Sequence, residues 1–144
     1  GRIESSRPIW IAEDSILLSK MIQQSLETAQ YVNVRAFPNG QELWDALQEA
    51  RGSENLRDQV ALIITDLEMP QMDGHRLTKL IKTDPVLRTI PVVIFSSLIT
   101  EEMRRKGKEL GADEQLSKPE IGHLVGIIDH LLGRDGEKGE EQPK

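Results

Sequence analysis

The chain has 144 residues, 24 of them acidic and 18 basic, a net charge of −6 and no cysteine. This length suits one domain with a core of its own and is too short for two full domains. The negative charge disfavours charge-driven binding to nucleic acid or to anionic membranes. The absence of cysteine excludes disulfides, thiolate catalysis and sulfur-ligated metals.

No apolar stretch reaches the roughly 20 residues that a membrane-spanning helix needs, so we expect no direct membrane insertion. Nothing at the start of the chain has the pattern of a signal peptide, and we therefore expect a cytoplasmic protein. Because the sequence begins at Gly1 without an initiating methionine, we also expect it to be a piece of a longer protein.

Short apolar runs alternate along the chain with stretches of helical periodicity. Runs rich in branched apolar residues are typical of strands that are covered on both faces, and apolar residues repeated every three or four positions are typical of helices. In chain order we predict strand 8–12, helix 15–29, strand 32–36, a helix that follows Pro38-Asn39-Gly40 and reaches Ala50, strand 60–65, a short helix ended by Asp84-Pro85, strand 91–96, helix 101–110, a weak strand 114–117 and helix 121–132.

This strict alternation predicts an α/β fold. A doubly wound, five-stranded parallel sheet with strand order 2-1-3-4-5 would lie between two layers of helices. We predict a linker over residues 1–7, the domain over 8–132 and a disordered polar tail over 133–144.

Carboxylates are predicted to meet at one edge of this sheet. Asp66 directly follows the third strand, and Glu13 and Asp14 follow the first strand, its neighbour in the predicted order. Ser96 and Lys118 reach the same edge from the fourth and fifth strands, and in open α/β sheets this edge is where ligands bind. Each acid could instead be a solvated residue at a strand end, and Asp14 could be a helix N-cap.

Clustered carboxylates need a counter-charge. Two of them about 4 Å apart repel by roughly 4 kcal/mol at an effective dielectric constant near 20. Oxygen ligands alone favour a hard divalent cation, Mg²⁺ or Mn²⁺. The histidines His75, His123 and His130 have no spacing that suggests a metal site, and we assign them no role.

Four motifs stand in order, each at the end of a predicted strand: Glu13-Asp14, Asp-Leu-Glu-Met-Pro-Gln-Met-Asp-Gly at 66–74, Phe-Ser-Ser at 95–97 and Lys118-Pro119. Together they resemble the signature of the receiver domains of two-component systems, and the likeness extends over 8–132. The stretches 95–113 and 116–121 resemble more closely the receivers of CheV-type chemotaxis coupling proteins.

The resemblance implies a CheY-like, flavodoxin-like three-layer sandwich. It also implies that Asp66 accepts a phosphoryl group from the phosphohistidine of a chemotaxis-type (CheA-type) histidine kinase. Asp14 and Asp66 would bind the cation directly, with Glu13 acting through a water. The backbone carbonyl of Glu68 would complete the site.

Three further expectations follow from the family. Ser96 and Lys118 would contact phosphoryl oxygens, and the Lys118-Pro119 peptide bond would be cis. Gln115 occupies a position where the family usually has an aromatic switch residue, which puts the usual aromatic coupling in doubt. The helix over 101–110, the fifth strand and the last helix would form the partner face, with Ile99, Gln115 and Ile127 as candidate contacts.

The function predicted from these features is a signalling module and not a metabolic enzyme. Its output would be altered docking, and an absent amino-terminal coupling domain would connect it to chemoreceptors. One alternative is a degenerate receiver that acts only as an interaction scaffold. Another is an aspartate-nucleophile phosphatase, for which Glu68 has the spacing of the second acid, although the usual residue there is aspartate and the chain has no cap domain. The basic residues of helix 101–110 are flanked by acids, which favours a solvated face over a nucleic-acid site.

Overall fold

The computed structural model describes residues 2–134, and it contains one five-stranded sheet. All strand pairs are parallel, and the order is β2-β1-β3-β4-β5. The predicted fold class and strand order are therefore confirmed. The strands are β1 (Ile9–Ala12), β2 (Val34–Phe37), β3 (Leu62–Thr65), β4 (Val92–Ser96) and β5 (Glu114–Ser117).

Strands and helices alternate along the chain, as a doubly wound fold requires. They are α1 (Ile16–Thr28), α2 (Gly40–Ala50), α3 (Leu56–Gln59), α4 (Gly74–Lys82), α5 (Glu101–Leu110) and α6 (Ile121–Leu131). Short 3₁₀ helices cover Leu87–Thr89 and Lys118–Glu120. The sequence did not predict α3, because its four residues are too few to show a helical period and none of them is buried.

The sheet carries a hydrophobic core on each face, because successive side chains of a strand point to opposite faces. From β1, Ile9 and Ile11 join the core formed with α1 and α6, whereas Trp10 and Ala12 join the core formed with α2 and α4. Three layers result. Helix α5 contributes only Gly107 as a buried residue and lies beside α4.

The start of α1 is fixed by Ser15, whose side-chain oxygen accepts a hydrogen bond from the backbone N–H of Leu18 at 3.2 Å. Ser15 is therefore the N-cap, and the alternative interpretation of Asp14 as the cap is wrong. The Asp14 carboxylate remains exposed at the edge of the sheet.

The segment expected to be a linker packs against the domain instead. Ser5 pairs with Tyr31 in an isolated parallel bridge, and the Arg2 guanidinium forms an ion pair with buried Asp129 at 2.7 Å. At the other end, Arg134 is buried. The rest of the predicted tail, 135–144, lies outside the described residues, and within 2–134 no helix is both long and apolar enough to cross a membrane.

Candidate functional site

The register of β1 and β3 brings the predicted acids together. Ala12 pairs with Thr65 as the last residue of each strand, so Glu13, Asp14 and Asp66 leave the sheet side by side. The backbone N–H of Asp66 donates to the carbonyl oxygen of Ala12 at 3.0 Å and fixes this alignment. Each acid offers a carboxylate oxygen, and the three oxygens lie within 4.8 Å of one another.

Backbone N–H groups orient two of the three carboxylates. Glu13 is 3% exposed, and its Oε2 accepts from the N–H of Ser15 at 3.0 Å. Asp66 is 6% exposed, and its Oδ1 accepts from the N–H of Leu67 at 2.7 Å. The site therefore combines two buried, oriented carboxylates with the exposed carboxylate of Asp14.

Lys118 places its ammonium group between the two buried acids. The distances from Nζ to Oε1 of Glu13 and to Oδ2 of Asp66 are both 3.3 Å. Lys118 directly follows β5, two strands away from β3. Its positive charge offsets part of the repulsion within the acidic cluster.

Ser96 is the last residue of β4 and is 3% exposed. Because Thr65 pairs with Ile94, Ser96 lies two residues farther along the sheet than Thr65, level with Leu67 in the loop after Asp66. The structure thus brings all five side chains predicted for the site to the same edge.

Burial and the neighbouring Asp66 carboxylate raise the pKa of Glu13 to about 7, although the Ser15 N–H and the Lys118 ammonium favour its charged form. Oε1 of Glu13 is buried and accepts no hydrogen bond from the residues described. The positive charge that lies nearest to it is the Lys118 ammonium, at 3.3 Å, so the ion pair offsets only part of the cost of burying this carboxylate.

These residues fit a divalent metal ion. Three carboxylates lie beside one lysine, and the ligand atoms that Glu13, Asp14 and Asp66 offer are all oxygens, which Mg²⁺ and Mn²⁺ prefer. A cleft of about 560 Å³ beside the acids is lined partly by Asp14, Leu67 and Glu68. This cleft is large enough for a divalent ion together with a small anionic group bound to it.

The loop after Asp66 depends on Gly74, the last residue of the motif at 66–74. A Cβ at Gly74 would lie 2.0 Å from the carbonyl oxygen of Asp66. The Gly74 N–H donates to the carbonyl oxygen of Leu67 at 2.8 Å, and Asp73 caps α4. The Asp-Gly pair at 73–74 was the available signal, since glycine in such a pair often marks a close backbone approach.

The expected cis peptide bond is not present. Every peptide bond among the described residues is trans, including the one that joins Lys118 to Pro119. Pro119 lies in the first turn of the 3₁₀ helix Lys118–Glu120, where its fixed φ angle suits a helical start. The trans form also has the lower intrinsic energy of the two for an X–Pro bond.

The three candidate contacts of the partner face are all partly covered. Ile99 is half-buried in the loop before α5. The half-buried side chain of Ile127 packs against the core formed with α1 and α6. Gln115 turns towards α5, where its Nε2 donates to the carbonyl oxygen of Arg104 at 2.8 Å.

The model of the response regulator receiver domain family matches residues 9–129, from the first residue of β1 into α6. The chain belongs to this family. The match includes all four motifs on which the resemblance was based. It also accounts for the sheet order, which the receiver fold requires.

Known relatives of this receiver include chemotaxis proteins. The chemotaxis protein CheV2 of Helicobacter pylori is 38% identical over 130 residues, which cover 90% of this chain and 40% of that protein. The receiver thus spans about two fifths of the length of that relative.

Solved structures of receivers share its fold. The signal receiver domain of a signal transduction histidine kinase from Syntrophus aciditrophicus is 31% identical with a TM-score of 0.75, covering 89% of this chain and 91% of that one. The Mn²⁺-bound form of the response regulator Rcp1 is 25% identical with a TM-score of 0.72, covering 85% and 92%.

Proposed function

We propose that this receiver accepts a phosphoryl group on Asp66 from the phosphohistidine of a chemotaxis-type histidine kinase, with Mg²⁺ or Mn²⁺ as cofactor. The observation that carries the proposal is the setting of Asp66. Its carboxylate lies buried at the end of β3, within reach of Lys118 and of two further carboxylates. Few arrangements other than a cation-dependent phosphoryl acceptor need this combination of groups.

The two oxygens of Asp66 have different surroundings, which supports Oδ2 as the attacking atom. Oδ1 accepts the hydrogen bond from Leu67, whereas Oδ2 lies near the Lys118 ammonium. Oδ2 would attack phosphorus as the bond from phosphorus to the histidine nitrogen breaks, and the imidazole would leave with the electron pair. Lys118 and Ser96 would then contact phosphoryl oxygens, as the resemblance implies.

Asp14, Asp66 and the backbone carbonyl of Glu68 would bind the cation directly. Glu13 would contact it through a water molecule. The cation would neutralise charge on the equatorial phosphoryl oxygens, since such transfers depend mainly on positioning and electrostatics. The chain itself would orient the Asp66 carboxylate through the Leu67 N–H on Oδ1 and the Lys118 ammonium near Oδ2.

The likeness to CheV2 supports a place for this receiver in a CheV-type coupling protein of the cytoplasm. There an amino-terminal coupling domain would contact chemoreceptors, and phosphorylation would modulate the coupling of receptors to the kinase.

The partner face would consist of α5, β5 and α6. Substitution of half-buried Ile99 by lysine should weaken binding, and unchanged affinity for every partner tested would reject this face.

Phosphotransfer from a radiolabelled kinase phosphohistidine tests the proposal. Label should move to the wild-type chain and not to Asp66→Asn. Asp73→Asn is a matched control, because Asp73 is an exposed acid of the same loop and asparagine is an equally good N-cap. Transfer to Asp66→Asn, or loss of transfer in Asp73→Asn alone, would contradict the assignment of the acceptor.

A further inference from the structure

Gln115 joins β5 to α5 through two hydrogen bonds. Its side-chain Nε2 donates to the carbonyl oxygen of Arg104 at 2.8 Å, and Nη1 of Arg104 donates to the carbonyl oxygen of Gln115 at 3.1 Å. Each residue thus binds the backbone of the other. This pair connects the edge strand of the sheet to a helix that buries little else.

The amide of Gln115 fills a slot that exists because residue 107 is glycine. A Cβ at Gly107 would lie 2.4 Å from Oε1, 2.7 Å from Cδ and 2.9 Å from Nε2 of Gln115. Gly107 lies well inside α5, where glycine is unfavourable relative to alanine. The close approach of the Gln115 amide explains why a glycine, and not a larger residue, occupies position 107.

Half of this amide is left unsatisfied. Oε1 of Gln115 is buried and accepts no hydrogen bond within the described part of the chain. Such an atom carries a desolvation cost that solvent exposure would relieve. The side chain is therefore held by one good hydrogen bond against a penalty, which makes it easier to release than a fully satisfied amide.

Gln115 lies on the strand that leads directly to Lys118 of the acidic site. Ser117, which pairs with Ser96, lies two residues farther along β5, and Lys118 follows it. The Lys118 ammonium contacts both Glu13 and Asp66. Lys118 and Gln115 are thus three residues apart at the same end of the sheet, so that a backbone shift at Lys118 would reach Gln115 through β5.

We propose that Gln115 is a latch that holds α5 against β5 in the unmodified receiver. We infer further that movement of Lys118 towards a phosphoryl group on Asp66 releases it. The second statement rests on the proposed function, whereas the first does not. Release would free α5 to move as a unit, a different response from the rotation of an aromatic side chain.

A mutational cycle on the unmodified protein tests the slot. Gly107→Ala should lower the melting temperature of the wild-type chain, because its methyl group displaces the amide. In the Gln115→Ala background the same substitution should raise the melting temperature, because the slot is then empty and alanine favours the helix. Gly122→Ala is the control, since a Cβ there would meet no atom within 4 Å beyond the neighbouring backbone of its own helix, and its effect should be the same in both backgrounds. A rise on Gly107→Ala in both backgrounds would overturn the latch.

Hydrogen exchange tests what the latch holds. In the unmodified protein, Gln115→Ala should speed exchange of the α5 amides roughly fivefold or more while those of α2 stay unchanged. Gln41→Ala, which removes an exposed hydrogen bond to Asp45 within α2, should leave α5 unchanged. Unaltered α5 exchange in Gln115→Ala would also overturn the latch.

The same exchange measurement with acetyl phosphate and Mg²⁺ tests release. Wild-type α5 should then exchange at a rate close to that of the Gln115→Ala variant. If intact mass shows a phosphorylated chain and α5 exchange stays slow, release is wrong. If the chain gains no phosphoryl group, the proposed function and the release that rests on it both fail, while the two tests on unmodified protein still decide the latch.

Discussion

Gly74 is the residue on which the geometry around Asp66 depends most directly. A Cβ there would meet only backbone atoms, with the carbonyl oxygen of Asp66 at 2.0 Å and its carbon at 2.9 Å. Backbone cannot rotate away as a flexible side chain can, so Gly74→Ala must displace the loop that carries the acceptor. We expect a loss of about 3 kcal/mol in the free energy of unfolding, at the upper end of overpacking costs.

Urea denaturation of Gly74→Ala measures this loss. Gly122→Ala is the matched control, because its position in α6 is open. The control should be neutral or stabilising by up to about 0.5 kcal/mol, as helix propensity favours alanine. Equal stability of the two variants would contradict the close contact between Gly74 and the backbone of Asp66.

The raised pKa of Glu13 predicts a pH dependence of stability. Its pKa is about 7 in the folded chain, compared with an ordinary value of 4.5, so between these values the folded state binds more protons than the unfolded state. The free energy of unfolding should therefore fall as pH rises through this window. Without divalent cations, we expect Glu13 to contribute a fall on the order of 1–2 kcal/mol.

Denaturation of the wild type and of Glu13→Gln in EDTA, from about pH 5 to about pH 8, isolates this contribution as a difference between two curves. The wild type should lose stability relative to the variant as pH rises. A difference that is flat, or that rises with pH, would contradict the assigned burial of this carboxylate.

Among the elements, α6 and the amino-terminal segment are held together by a buried charge. Asp129 is 0% exposed and accepts hydrogen bonds from Arg2 at 2.7 Å and 3.0 Å and from the Tyr31 hydroxyl at 2.6 Å. Burial alone would raise the pKa of Asp129, but the bonds from Arg2 and Tyr31 outweigh it and lower the pKa. Arg2 is thus anchored to the folded domain through α6.

Asp129→Ala should cost roughly 3 kcal/mol of stability, because it leaves the Arg2 charge and the Tyr31 hydroxyl without this partner. Exposed Asp45→Ala is the control. Since the folded pKa of Asp129 is lowered, its contribution is present above the ordinary value of 3.8 and lost as pH falls through the folded pKa. This dependence is opposite in sign to that of Glu13. An Asp129→Ala variant as stable as the control would show that the contacts of Asp129 with Arg2 and Tyr31 do not stabilise the fold.

For the whole molecule, periodicity and strand-end polarity were sufficient to predict the sheet order and the meeting of Glu13, Asp14 and Asp66. Parallel strands with right-handed crossovers leave few topologies, and adjacent strand ends then bring polar residues together. The sequence could not predict α3, because a single turn has no period. It could not predict the contacts of Arg2 either, because a polar segment gives no signal of the buried carboxylate that it meets.

Two features could not be predicted from residue types alone: the isomer of the peptide bond before Pro119 and the packing of Gln115 against α5. The peptide bond before Pro119 is trans, and the chain enters a 3₁₀ helix there, whereas family likeness favoured cis. The inward turn of Gln115 depends on the glycine at 107, eight residues earlier. A pattern of single residues does not show that the Gln115 amide occupies the space that a side chain at position 107 would fill.

Intact mass after incubation with acetyl phosphate tests the central claim most directly. Wild type and Asp66→Asn would each be treated with Mg²⁺ and, separately, with EDTA. We predict a gain of one phosphoryl group by the wild type with Mg²⁺ only, and no gain by Asp66→Asn under either condition. Absence of a gain in the wild type, an equal gain in EDTA, or a gain in Asp66→Asn would contradict a cation-dependent acceptor at Asp66.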